Sequence, residues 1–286
     1  MLVAPALLIY LAVMTFPTIF SVLLSLTNYN GGKIFGNPNI KFVGFNSYKW
    51  MFTEPTGNFY LSLKNNMLIV AISVFGQIPL GFVLAYILSR RMVKGTVFFQ
   101  TMIFLPYVIS PVIIGILFKN FYLNQNSVYM EIVRFFNPGA QFTLNENPMI
   151  PVMVVILWMF TGFYMIVFLA NLQRIDSQII EAARIDGASE GQILSRIILP
   201  ALSGVIVICA ILAISGSLKS FDLIYVMTGG GPAGRTRVLS LFMYQSAFQG
   251  APNYPLANAI STVMVLISFA LIIITRQVEK IFGGKE

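Results

Sequence analysis

Charged side chains leave six long gaps along the chain, at 1–32, 65–89, 95–118, 147–173, 197–218 and 238–275. A helix needs about 20 mostly apolar residues to cross the hydrocarbon of a bilayer, and every gap is long enough. Within the gaps the apolar residues run on without alternating. That pattern predicts helices, because barrel strands would be roughly ten residues long and would alternate. Six spanning helices are expected near 3–26, 65–88, 96–118, 149–171, 201–222 and 257–275, so that 1–286 forms a single all-α transmembrane domain. The first span lacks a basic leader segment and outruns a signal-peptide core, so it reads as a retained helix.

Helix breakers punctuate these spans: Pro5, Pro17, Pro79, Pro106, Pro111, Gly76, Gly81, Gly115 and Gly162. In lipid they survive where a neighbouring helix or water satisfies the freed carbonyls. Pro106 and Pro111 bracket the stretch PYVISP in the third span. Two readings are open there, a bend facing a cavity and a kink needed only for packing.

The segment 172–200 changes pattern. It is too polar to span and too periodic for a slack linker. Asp176 or Ser177 caps a first short helix, with Ile179, Ile180, Ala182 and Ala183 as its apolar side. Gly187 stands where a left-handed residue ends that helix. Ser189 and Gln192 form an S-x-x-Q capping box for a second helix, along which Ile193 with Ile197 and Leu194 with Ile198 repeat at i, i+4. The first helix lacks the basic polar face of a membrane-surface helix. Its small Ala182–Ala183 pair, rimmed by Glu181, suits close approach by a protein partner.

Composition agrees with the pattern. The chain is 57% hydrophobic and 10% charged, with mean hydropathy +0.81, against about 25% charged in soluble domains. The net charge of +8 comes from basic residues scattered singly between spans, which fits interfacial anchoring and not nucleic-acid binding. Arg90, Arg91, Lys94, Arg174, Arg184, Arg196, Arg276, Lys280 and Lys285 are half of the 18 Lys and Arg, yet they lie on the shorter set of connecting segments. Their density favours that side, with both termini, as cytoplasmic. Cys209 is the sole cysteine and histidine is absent, which excludes internal disulfides, imidazole metal sites and His-based triads. No enzyme constellation is present. The spans carry almost no charge, which argues against a self-sufficient secondary transporter with ion-coupling residues in the membrane.

Residues 229–236 read G-x-x-x-x-G-R-T, one residue away from a phosphate-binding loop. Arg235 stands where that loop has its lysine, and the two are not interchangeable as phosphate ligands. Pro232 removes a backbone donor. The expected topology also puts this loop outside the cell, so nucleotide binding is not expected there.

Glu181, Ala182, Ala183, Gly187, Ile197, Leu199 and Pro200 spell E-A-A, three residues, G, nine residues, I-x-L-P. This resembles the signature loop of ABC-importer permeases. LANLQRI before it and RIDGAS within it resemble the carbohydrate-uptake branch, the maltose and oligosaccharide type, and the resemblance runs from PALLIY in the first span to the sixth span. It implies a type I ABC-importer permease fold with six transmembrane helices, in a bacterial or archaeal inner membrane. The loop at 172–200 would be cytoplasmic, its first helix being the coupling helix that docks on an ATPase subunit. By carry-over Glu181 pairs with a basic residue of the ATPase, Ala182 and Ala183 pack closely and Gly187 sets the turn.

The resemblance also implies partners: two ATPase subunits that bind ATP and Mg, an extracytoplasmic solute-binding protein and a second permease. This chain would itself hold no cofactor or metal. FDLIYVMTGGGP resembles one of the two subunits of heterodimeric carbohydrate importers. Phe221, Asp222 and Tyr225 would lie near the outer mouth of the pathway. Gly229, Gly230, Gly231 and Pro232 would form an external turn touching the binding protein, or else a re-entrant packing element. Sugars are bound by aromatic faces and hydrogen-bonding groups in an apolar cavity. Gln77, Tyr107, Trp158, Tyr164, Ser215, Ser217 and Asp222 are the pathway candidates by type and depth. A non-sugar solute is the alternative substrate.

Overall fold

The structure, a computed structural model, describes residues 3–34, 36–90, 94–123, 131, 134–135 and 148–282, with Leu123 and the last five of these by backbone only. Arg91, Lys285 and the side chain of Lys280, counted above among the basic residues, lie outside this description. In chain order the helices are α1 (Ala4–Ser25), α2 (Asn46–Thr53), α3 (Asn58–Ser89), α4 (Thr96–Val108), α5 (Pro111–Leu123), α6 (Met149–Leu172), α7 (Ser177–Ile185), α8 (Glu190–Ala201), α9 (Ser203–Leu218), α10 (Asp222–Thr228), α11 (Leu239–Phe248) and α12 (Tyr254–Phe282). Among the described residues the only strand-like feature is an isolated bridge between Thr27 and Phe42.

Four helices, α1, α3, α6 and α12, are each long and apolar enough to cross a bilayer. Two bent pairs bring the number to six if each pair is one span: α4 with α5 at 92°, and α8 with α9 at 65°. The third span bends within PYVISP, as its two prolines led us to expect, with the chain breaking at Ile109–Ser110. One expectation changes here: the fifth helix stops at Leu218, short of 222, and Asp222 opens a separate helix.

Proline accounts for several irregularities. Pro17, Pro79 and Pro200 each follow a wide turn, at Leu11–Thr15, Ser73–Gln77 and Leu194–Ile198. In a regular α-helix the proline ring clashes with the carbonyl four residues back and leaves it without a donor. Here that residue (Val13, Phe75 or Arg196) sits in the middle of the wide turn. The residue before each proline bonds five residues back instead: Phe16 to Leu11, Ile78 to Ser73 and Leu199 to Leu194. At Pro111 the chain takes the other solution. Ile109 is extended, and the proline starts α5, where no N–H is needed.

The centre of the bundle is α6. Val152, Val155, Met159, Met165 and Phe168 on it are almost fully buried. It packs along α3 and α4 through glycine contacts. A Cβ on Gly81 would lie 2.8 Å from the Tyr164 Cβ, and one on Gly162 would overlap the Ile103 carbonyl oxygen. Small residues permit such backbone-to-backbone approach between membrane helices. By contrast α1 rests mainly on α12, with Ser21 Oγ donating to Asn258 Oδ1 at 2.6 Å. Its Leu7, Leu8, Ile9 and Val13 face outward, as lipid-facing side chains do.

Candidate functional site

At one end of the bundle the loop between α6 and α8 is built by its caps. Asp176 accepts from the Gln178 N–H at 2.9 Å and starts α7. The helix ends on Gly187, whose φ of +82° would strain any residue with a Cβ although the space around it is open. The Gly187 N–H reaches the Arg184 carbonyl at 3.1 Å and the Ala188 N–H reaches that of Ala183 at 2.9 Å, closing the helix end in a Schellman motif. Ser189 and Gln192 then form the expected capping box, with bonds of 2.8 and 3.3 Å.

The apolar residues of α7 do not form one side. Ile180 and Ala183 pack on the core around Phe168, Leu172, Ile193 and Ile198, whereas Ile179 and Ala182 point outward with Glu181 and Ile185. A helix turns about 100° per residue, so 180 with 183 and 179 with 182 occupy adjacent faces. The helix is therefore seated by one face and presents the other. Ile185 is 87% exposed there. Within α8, Ile193 and Ile198 are buried, Ile197 and Leu199 are partly covered and Pro200 is exposed.

An ion cluster braces this loop. The Oε1 of Glu190 accepts from Arg184 Nε at 2.9 Å and Nη2 at 2.7 Å, and its Oε2 accepts from Arg90 Nη2 at 3.2 Å. The Arg184 hydrogen bonds, with the charges of Arg90 and Arg184, hold the Glu190 carboxyl below its ordinary range. Sequence reasoning passed over Glu190. Arg184 lies across a turn from it and Arg90 on a different helix, so no local spacing marks the cluster.

Inside the bundle is a cavity of about 170 Å³. Its walls come from the wide turn of α3 (Ser73, Gln77), the α4–α5 bend (Pro111), α6 (Ile156, Phe160, Tyr164) and the end of α9 with the link to α10 (Ser217, Phe221, Asp222). The bend in PYVISP thus borders a cavity. Gln77 donates to the Ile156 carbonyl at 2.9 Å, Ser217 Oγ donates to Ser73 Oγ at 3.0 Å, and Asn66 donates to the Ser217 carbonyl at 3.0 Å.

Of the seven pathway candidates, Gln77, Tyr164, Ser217 and Asp222 meet at this cavity, and Tyr107, Trp158 and Ser215 do not. Trp158 is half-exposed and lies edge-on to Phe118, with ring centroids 5.5 Å apart. Tyr107 stacks on Phe163 at 5.0 Å. Ser215 lines a separate groove with Tyr244 and Ser261. The reason is helical geometry. Trp158 is two positions from Ile156, and Ser215 two from Ser217, which is about 200° around a helix. Ser73 and Asn66 were missed, although polar residues in an apolar run were the available signal.

On the far side of α10, Gly229 has φ +61° and Gly231–Pro232 is a cis peptide. Thr236 is fully buried and its hydroxyl contacts Thr228 Oγ1 at 2.7 Å and the Gly231 carbonyl at 2.9 Å. The threonine of the apparent phosphate loop is thus spent closing the turn. Asn65 holds the turn to α3 by donating to the carbonyls of Arg235 and Arg237 at 2.9 and 2.8 Å. Gly230 is buried against Leu241 and Gly229 is exposed, while Phe221 stacks on Tyr225 at 5.2 Å.

These features define a class: a multi-pass helical membrane protein with an internal cavity at a set of helix breaks and a short capped helix, half-exposed, at one end. Residues 77–284 match the family model described as binding-protein-dependent transport system inner membrane component. The chain is 33% identical to the multiple sugar-binding transport system permease protein MsmF of Streptococcus mutans, over 88% of this chain and 84% of that protein. It is 32% identical to the lactose transport system permease protein LacF of Rhizobium radiobacter, over 93% and 88%. The fold is similar to that of a bacterial alginate ABC transporter crystallised with its alginate-bound periplasmic protein, with TM-score 0.82, 20% identity and coverage of 99% and 94%. The chain belongs to the family of inner membrane components of binding-protein-dependent transport systems, the permeases of ABC importers.

Proposed function

We propose that this chain is one of two permease subunits of an ATP-driven importer, and that the solute is a sugar or oligosaccharide delivered by an extracytoplasmic binding protein. The observation that carries the reading is α7. It is seated on the bundle by Ile180 and Ala183 and offers Ile179, Glu181, Ala182 and Ile185 outward, beside the Gly187 turn. An exposed apolar face with one acidic group at its rim suits a cleft in a protein partner. That partner is the ATPase subunit, which binds ATP and Mg, and Glu181 meets a basic residue there. The sugar assignment draws support from MsmF and LacF, whose names state sugar transport.

In this reading α7 and both termini face the cytoplasm, and the turn at Gly229–Pro232 faces the binding protein. The cavity at Gln77, Tyr164, Ser217 and Asp222 is this chain's share of the pathway, with Phe221 and Tyr225 near its outer mouth. At about 170 Å³ it is below the ~300–1,000 Å³ of typical ligand pockets. In this reading the second permease, which the resemblance of FDLIYVMTGGGP implies is a different chain, completes the passage for an oligosaccharide. ATP-driven closure of the two ATPase subunits moves α7 and rocks the helices that wall the cavity.

The test is ATPase activity of the assembly reconstituted in liposomes, across a panel of sugars, amino acids, peptides and ions. Stimulation is expected with one sugar-loaded binding protein and is expected to vanish with Glu181→Lys. Stimulation by a non-sugar solute alone would overturn the sugar assignment. Unchanged stimulation with Glu181→Lys would overturn the docking assignment.

A further inference from the structure

The exposed face of α7 raises a mechanical problem. A push on this helix is useful only if the helix cannot simply pivot, and the Gly187 turn beside it has open space around it. Its apolar seat is thin, with Ile180 and Ala183 the helix residues that pack on the core. Ala188, just past the helix, also packs on that core, and the side-chain tie between the C-terminal end of α7 and the rest of the bundle is the carboxylate of Glu190. That one group receives Arg184 from the last turn of α7 and Arg90 from the end of α3, while itself sitting in the first turn of α8. Three separate elements meet on it. Beneath, the Arg90 guanidinium lies 5.3 Å from the centroid of the Tyr86 ring. Tyr86 stacks on Phe82 at 6.2 Å, and Phe82 meets the buried Phe168 edge-on at 5.5 Å.

From this cluster α3 runs helically, through Ile78–Ser89, to the wide turn whose Ser73 and Gln77 wall the cavity. From Tyr86 to Gln77 the axial distance is about 14 Å at 1.5 Å per residue. Along that length Gly81 sits backbone to backbone against Tyr164 and Met165 of α6. We propose that Glu190, with Arg90 and Arg184, is a positioning cluster that clamps α7 to α3, so that displacement of α7 reaches the cavity wall at Ser73 and Gln77. The proposal rests on the docking role of α7 given above. Glu190 touches neither solute nor nucleotide. Exposed ion pairs add little to stability, and the side chain of Glu190 is 58% exposed, so the cluster contributes geometry more than folding energy.

The experiment measures solute transported per ATP hydrolysed by the complete assembly in proteoliposomes. Substitutions at positions like these shift coupling by 0.5–2 kcal/mol, roughly two- to thirtyfold. Glu190→Gln is expected to lower the transport-to-ATP ratio by an amount in that range, with assembly and ATP hydrolysis without solute unchanged. Glu190→Gln combined with Arg90→Gln is expected to be no worse than either alone, and Arg90→Lys, which keeps the charge, to retain most of the ratio. An unchanged ratio in Glu190→Gln overturns the proposal. So does a loss that tracks dissociation of the ATPase subunits, because that marks a merely structural role. Glu181→Lys, run alongside, separates the two ideas: if it abolishes transport while Glu190→Gln does nothing, docking stands and only the clamp falls.

Discussion

A methyl group on Gly162 would overlap the carbonyl oxygen of Ile103 where α6 crosses α4. The obstacle is backbone, which cannot rotate away as a side chain can. Gly162→Ala is therefore expected to push the helices apart and to destabilise by about 1–3 kcal/mol, the usual cost of overpacking. Thermal unfolding of the purified protein in detergent reads this directly, and an unchanged midpoint would show that the crossing is looser than described. Gly162 was visible in the sequence as a helix breaker, but its reason was not, because Ile103 lies on another span. Gly187 differs. Its role follows from its place between two capped helices, so spacing alone marked it.

At the level of elements, three wide turns precede three prolines, and one of them shapes the cavity. A π turn holds one residue more than an α turn, which rotates everything beyond it by about 100°. Ser73 and Gln77 face the cavity in this arrangement. Pro79→Ala restores an N–H and removes the ring clash, so α3 is expected to relax towards a regular helix and turn these residues away. Solute-stimulated ATPase should fall while the protein still assembles. If stimulation is unchanged, packing against α6 and not the proline holds the wide turn. The prolines were legible in the sequence. Whether each would give a wide turn, as at Pro79, or a 92° bend, as at Ile109–Ser110, was not. That choice depends on what the freed carbonyls and the lost helical turn pack against.

Across the whole molecule, helices from four parts of the chain converge on one cavity. Ser217 sits on its wall, 5% exposed, bonded to Ser73. Ser217→Leu is expected to fill much of this space and block solute flux in proteoliposomes, with the ATPase subunits still bound. Trp158→Ala removes a larger side chain but one outside the cavity, so flux is expected to stay near the unsubstituted level. Equal losses from both substitutions would show that the cavity is not the pathway.

The sequence by itself determined the class of protein, the apolar segments and the caps of the loop at 172–200. Those features are local: a charge-free run long enough for the bilayer, and caps and a glycine at fixed spacing, act within a few residues or along one helix. Only the tertiary structure decided which polar residues share the cavity, that α7 splits its apolar residues between a seat and an open face, and that Glu190 joins three elements. Those outcomes depend on the rotation of each helix about its own axis and on partners far away in the chain. In an apolar helix that rotation leaves little trace in composition, because lipid-facing and buried faces are both hydrophobic. Ser215 and Ser217 show the limit. They are the same residue type at nearly the same depth, and about 200° of helix rotation puts them in different compartments.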